Sequence, residues 1–138
     1  MKKTVRFAVS LDHHLLDDFD RVLVKKKYET RSEAIRDLIR DHLVLEDWDA
    51  KKETVGTISL VYDHHVHTLT EKLTSIQHHF HKHILSAMHV HLDHDHCIEV
   101  LVVKGTGGEI RTVADSLIST KGVKHGKLTM TTTGKELA

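Results

Sequence analysis

Two periods of apolar and polar residues alternate along this chain. Residues 4–11 are apolar on one parity (Val5, Phe7, Val9, Leu11) and polar or small on the other (Thr4, Arg6, Ala8, Ser10), the pattern of a strand with one buried face. From Asp12, an N-cap residue, the period becomes helical, with Leu15, Leu16, Phe19, Val22 and Leu23 on one stripe. Thr30-Arg-Ser-Glu33 has the spacing of a capping box and opens a second helix, whose stripe of Ile35, Leu38, Ile39 and Leu43 runs on towards Trp48. Strand, helix and helix within residues 1–48 offer too little apolar surface to fold alone, and a single strand leaves both backbone edges unpaired. The unit therefore predicts a dimer joined through that strand. Two such strands form an antiparallel ribbon that presents Arg6, Ala8 and Ser10 of each chain outward, and a two-stranded ribbon fits the major groove of DNA.

A polar stretch over residues 49–54 reads as a hinge, and a second pattern follows it. It predicts a strand over 55–62, a helix over 68–82 with Leu69, Leu73, Ile76 and Phe80 in its stripe, and strands over 84–92 and 97–104. A helix over 108–121 with Ile110, Val113, Ala114 and Leu117 comes next, then a strand over 123–130. The order β-α-β-β-α-β is that of the ferredoxin-like split unit, so the chain reads as α+β with domains at 1–48 and 54–138. In that arrangement the helices cover one sheet face and leave the other to a partner. The tail from Thr131 is polar and is expected to be loosely held.

Charge narrows the picture without deciding it. Lys+Arg and Asp+Glu both number 20 in the 138 residues, so no global basic field points to nucleic acid. The basic groups of the N-terminal unit are nevertheless clustered, at Lys2, Lys3 and Arg6 and again at Lys25, Lys26 and Lys27, where phosphates can be met. Histidine is the compositional anomaly: of 15, most follow residue 49, which locates metal chemistry in the second domain. One cysteine makes no intrachain disulfide and no long apolar span is present, so a cytoplasmic protein with no membrane segment is expected.

That cysteine lies in the densest group of imidazoles, His89-Val-His91-Leu-Asp-His-Asp-His-Cys97. Met88, Val90 and Leu92 are apolar on one parity, so His89 and His91 share the other face of a strand, about 6.8 Å apart at Cα, within reach of one ion. After the polar turn at Asp93 to His96, a hairpin that keeps Ile98, Val100 and Val102 on the core with Met88 and Val90 sets Cys97 beside the histidines, on the side away from the core. Imidazole with thiolate suits Zn, Cu or Ni, and three near-coplanar donors awaiting a fourth favour square-planar Ni(II) or Cu(II).

Both halves resemble one known family. Val-Arg-Phe-Ala-Val-Ser-Leu-Asp12, Leu15-Leu16 and Tyr28-Glu-Thr-Arg-Ser-Glu-Ala-Ile-Arg-Asp-Leu-Ile-Arg40 look like the ribbon-helix-helix DNA-binding fold in its nickel-responsive branch. His64 after Val-Tyr-Asp, Gln77-His78-His79, His89-Val-His91, Asp95-His-Cys97-Ile-Glu99, Val103-Lys104-Gly105 and Lys121 to His125 resemble the regulatory domain of the same nickel-responsive repressors, a domain of the ACT (amino-acid-binding regulatory) type. The resemblance implies a homotetramer, a dimer of dimers, in which Ni(II) bound in a central core enables binding to a palindromic operator and repression of nickel-uptake genes. It implies a nickel site made of His89, His91 and Cys97 of one chain and His78 of another, with Tyr62, His64 and Glu99 as near neighbours. It also implies a second, low-affinity site for a cation such as K+ at Glu33 and Asp37. Ala8 departs from the pattern: it can touch a thymine methyl but reads no polar base edge. His65, His67, His79, His81, His83, His94 and His96 exceed the pattern, and they make further sites only where fixed geometry holds them.

Three other readings compete. A cupin-like metalloenzyme needs a Glu three or four residues beyond His-x-His, whereas the first Glu after His91 is Glu99, so no enzyme is expected. An antitoxin with a ribbon-helix-helix head would have a tail without this folded pattern. A regulator of the same architecture sensing Zn, Cu, Co or an amino acid would differ in its bound ligand.

Overall fold

A computed structural model describes residues 3–49, 51–135 and 137. Among the described residues the elements are, in order, α1 (His13–Lys25), α2 (Arg31–Asp49), β1 (Glu53–Asp63), α3 (His67–His79), β2 (Ile84–His91), β3 (His96–Thr106), α4 (Gly107–Ile118) and β4 (Val123–Met130). The chain divides into two compact units, Met1–Arg40 and Asp41–Ala138.

In the first unit Asp12 caps α1, its side chain accepting from the His14 amide at 2.9 Å, and Thr30 caps α2 by accepting from the Glu33 amide at 3.2 Å. Lys27 takes a left-handed φ of 62° to end α1, and the Tyr28 amide closes back onto the Leu23 carbonyl at 3.0 Å. Of the stripe expected on α1, Leu23 is buried while Leu15 and Val22 remain exposed; on α2, Leu38 and Ile39 are exposed as well. Residues 3–12 form no ladder in the single chain. Val5 is 81% exposed and Phe7 69%, although both belong to the parity expected to be buried. A strand gains its ladder only from a neighbour, and among the described residues of this unit there is none to pair with it.

The second unit holds a four-stranded antiparallel sheet in the order β2-β3-β1-β4. This is the ferredoxin-like βαββαβ arrangement, with β1 and β3 central. Burial alternates along β1, where Thr54, Gly56, Ile58, Leu60 and Tyr62 are buried, and along β3, where Cys97, Glu99, Leu101 and Val103 are buried. These faces meet Leu69 and Leu73 of α3 and Ile110, Val113, Ala114 and Leu117 of α4 in one core. Thr106 and Glu109 form a reciprocal capping box at the start of α4.

Two expectations are corrected here. Trp48, which reads in sequence as the far end of an N-terminal helical stripe, is 1% exposed and sits in the core of the second unit. Its ring lies against Gly56, where an added Cβ would come within 3.1 Å of it. Thr131, expected to begin a loose tail, is tied down: its carbonyl accepts from Trp48 Nε1 and Thr54 Oγ1, both at 2.8 Å, and its amide donates to the Val55 carbonyl at 3.1 Å. Buried polar groups require partners, and here the indole N–H and the threonine hydroxyl find theirs in the start of the tail.

Candidate metal centre

The β2–β3 hairpin sets the site. Its register places His89 opposite Glu99 and His91 opposite Cys97, so the two imidazoles, the carboxyl and the thiol share one face. The expectation of a shared face is met, but the expected side is not. Cys97 and Glu99 point to the face covered by the helices and are 0% and 8% exposed. The uncovered face carries instead Met88, Val90, Ile98, Val100 and Val102, of which Met88 is 59% exposed. The reason lies in β3, which is apolar on both parities, so that period 2 alone left its inward side undecided. Cys97, Leu101 and Val103 go inward because α3 and α4 cover them, and Glu99 goes with them because it is provided with partners.

Those partners come from two other elements. Glu99 Oε1 accepts from the Tyr62 hydroxyl of β1 at 3.2 Å and from the Gln77 amide of α3 at 3.3 Å. Gln77, quoted in sequence only as part of the Gln77-His78-His79 motif and without a role, is thus a functional candidate in its own right. The Tyr62 ring meets the His89 ring edge-on at 5.8 Å, and the His64 ring meets that of His91 at 4.5 Å. Burial holds the Tyr62 hydroxyl protonated well above the ordinary phenol range, reinforced by the charge of Glu99. Burial likewise raises the Cys97 thiol, partly offset by Tyr62, with Glu99 and Asp63 adding to the rise. The thiol donates to the Tyr62 carbonyl at 3.6 Å.

A transition metal fits this donor set. The His89 and His91 rings lie 28° from parallel with centroids 5.9 Å apart. A metal bonds an imidazole nitrogen in the ring plane, with the centroid about 3 Å away, so a shared ion needs both rings to turn a nitrogen towards it. The edge position of β2 leaves both imidazoles exposed while Cys97 is buried directly across the ladder. The hairpin thus sets two imidazoles and one thiol on one face, with donor atoms less closely gathered than those of His65, His94 and Asp95.

The remaining predicted residues lie apart from this group. His78 is exposed at the C-terminal end of α3, its carbonyl meeting His81 Nδ1 at 3.1 Å. Arg6, Ala8 and Ser10 are exposed in the first unit. Glu33 and Asp37 are half-buried on α2, and Asp37 accepts from the Tyr28 hydroxyl at 2.6 Å and from Arg40 Nη1 at 3.3 Å.

A ferredoxin-like unit with an imidazole–thiol hairpin at its edge has donor types suited to a transition metal. Residues 55–131 match the family described as the NikR C-terminal nickel-binding domain. A protein of Solibacter usitatus that bears the name nickel-responsive regulator is 60% identical over 133 residues, 96% of each chain. Proteins of the same name from Nitratidesulfovibrio vulgaris (strain Hildenborough) and Geobacter sulfurreducens are each 57% identical over 138 residues, 99% of each chain. An uncharacterized protein of Thermotoga maritima shares the fold with a TM-score of 0.52 at 18% identity, over 57% of this chain and 98% of its own. The chain belongs to the nickel-responsive regulator family. That family is one of regulators, and the chain is not an enzyme. No helix among the described residues is long and apolar enough to cross a membrane.

Proposed function

We propose that this protein is a nickel-dependent, DNA-binding transcriptional regulator that represses nickel-uptake genes through a palindromic operator. The observation that carries the reading is the cross-strand register of His89 and His91 with Glu99 and Cys97, in a chain whose residues 55–131 match a nickel-binding domain. His89, His91 and Cys97 hold Ni(II) from one chain, and His78 of a second chain closes the square. Tyr62, His64, Gln77 and Glu99 orient the ligands. The metal acts as a signal, and its effect on DNA runs through the placing of subunits it ties together.

Exposed apolar surface supports a multi-subunit form. Val5, Phe7, Val9 and Leu11 are unburied in the single chain, as are Met88, Val90 and Val102 on the open sheet face. A ribbon-helix-helix dimer covers the first set and turns Arg6, Ala8 and Ser10 towards DNA; association of the regulatory domains into a homotetramer covers the second.

The test is an operator titration with and without Ni(II), run on the full chain and on Arg6→Ala. Nickel should tighten operator binding in the native protein. Arg6→Ala should lose discrimination between operator and random DNA by about 1 to 3 kcal/mol per bidentate base contact removed, with nickel stoichiometry unchanged. Retained discrimination would mean that the ribbon does not read bases, and operator binding indifferent to nickel would sink the reading as a whole.

Glu33 and Asp37, one turn apart on α2 and half-buried, are proposed to hold a cation such as K+ that supports DNA binding. Replacing both with alanine should weaken operator binding and spare nickel stoichiometry. Unchanged operator affinity would leave them as a solvated helix face, with Asp37 paired to Tyr28 and Arg40.

A further inference from the structure

Two loops far apart in sequence meet at one end of the sheet, the β1–α3 connection with His64 and His65 and the β2–β3 turn with His94 and Asp95. They are joined backbone to backbone, the His64 amide donating to the Asp95 carbonyl at 3.1 Å. Nε2 of His64 and Nε2 of His65 each lie 2.9 Å from the His94 carbonyl oxygen. Each loop is also braced from within. Asp63 Oδ1 accepts from the His65 amide at 2.9 Å, and Asp93 Oδ1 accepts from the amides of Asp95 and His96 at 2.9 and 2.8 Å. Among the described residues, the three-donor group whose ligand atoms all lie within 4.8 Å of one another is His65, His94 and Asp95, all exposed.

We propose that His65, His94 and Asp95 form a second, solvent-open site for a divalent transition metal, separate from the imidazole–thiolate centre. The spacing of the donors is the first support. His94 Nδ1 lies 3.0 Å and His65 Nε2 3.6 Å from the same oxygen, Asp95 Oδ1. Two donors on one ion at about 2.1 Å stand roughly 3.0 Å apart in octahedral and 3.4 Å in tetrahedral geometry, so both separations lie near what a shared metal requires once the ion displaces the protons of both nitrogens and His65 Nε2 leaves the His94 carbonyl. Chemistry is the second. Two imidazoles and one carboxylate leave several positions to water and suit Ni(II), Co(II) or Zn(II), whereas hard cations such as Ca(II) call for an all-oxygen set. Placement is the third. The His65 ring stands 4.2 Å from that of His64, and the His64 ring 4.5 Å from that of His91, so a row of imidazoles runs from the open site towards a proposed ligand of the inner one. Metal exchanging with solvent at the loops is thereby held beside the inner site.

The experiment is a titration of the full chain, free of any polyhistidine tag, with Ni(II) alone. Bound metal is counted by equilibrium dialysis, and the sulfur-to-nickel absorption is followed in the same samples. The double variant His65→Ala/His94→Ala is expected to bind one equivalent per chain fewer than the native protein and to keep the absorption at full intensity. The control His67→Ala/His79→Ala, which removes two exposed histidines outside the group, is expected to keep both equivalents. The idea is overturned if the double variant binds as many equivalents as the native chain, or if the control loses metal equally. The proposal does not rest on the inner centre being a nickel site: a missing absorption in the native chain would defeat that reading while leaving the count at the loops readable.

Discussion

Replacing Cys97 with alanine is expected to abolish the sulfur-to-metal charge-transfer absorption of the Ni(II)-loaded protein and to weaken binding at that site by on the order of 100-fold or more. Loss of an outer hydrogen-bonding partner alone costs a metal site about 10–100-fold, and a ligand is worth at least that. The position makes the experiment clean. Cys97 is fully buried between Tyr62 of β1 and His91 of β2, so no other sulfur replaces it, and it is the only cysteine in the chain. Removing one buried sulfur atom costs stability on the order of 1 kcal/mol, too little to unfold the core of Leu101, Val103 and Leu117 around it. A native far-ultraviolet dichroism spectrum then separates loss of the ligand from loss of the fold. An absorption that survives in Cys97→Ala would remove the thiolate from the centre and with it the preference for a square-planar metal.

The second large effect is a rescue. His78→Ala and Cys97→Ala chains are each expected to fail at the four-donor site when alone, and to recover nickel binding with the native absorption when mixed. Leu69 and Leu73 are buried and Ile76 and Phe80 pack against the same core, while Gln77 reaches Glu99. Residue 78 stands two positions from both Ile76 and Phe80, a rotation of about 200° from each, which turns its imidazole away from its own core. His89 and His91, in turn, lie exposed on the edge strand β2, open to a neighbour. A site completed in trans is intact wherever a His78→Ala chain supplies the hairpin and a Cys97→Ala chain supplies His78. At equal mixing, random pairing makes that about a quarter of all sites. Mass measurements confirm that the chains have mixed. No recovery at any ratio would place His78 in the same chain as the hairpin or outside the centre.

The correction to the site's orientation bears on how subunits meet. With the donors on the helix-covered side, a site completed in trans predicts that the neighbour approaches the β2 edge. The open face of Met88, Val90, Val100 and Val102 is left for packing, so one hairpin offers two distinct surfaces. Metal at the edge and apolar contact on the open face can then be coupled through the same two strands, the contiguous path that a metal-driven change in subunit placing needs.

Much of this was legible in the sequence for a local reason. The order β-α-β-β-α-β, the stripes of α3 and α4, the Asp12 and Thr30 caps and the shared face of His89, His91 and Cys97 are all set by contacts within a few residues or by one tight turn, and period and spacing record such contacts directly. The alternating parity over residues 4–11 is legible in the same way, but the strand it predicts forms no ladder in the single chain. What only the tertiary structure decided were choices between alternatives of equal local merit. Both parities of β3 are apolar, so the inward face was chosen by which side α3 and α4 cover, and Glu99 could join that face only because Tyr62 and Gln77, 37 and 22 residues away, bring it hydrogen bonds. Trp48 continues a helical stripe in sequence, yet it is buried with Gly56 and Thr131, residues no local rule connects. The meeting of His65 with His94 and Asp95 is of the same kind, since loops about thirty residues apart come together only when the sheet between them has closed.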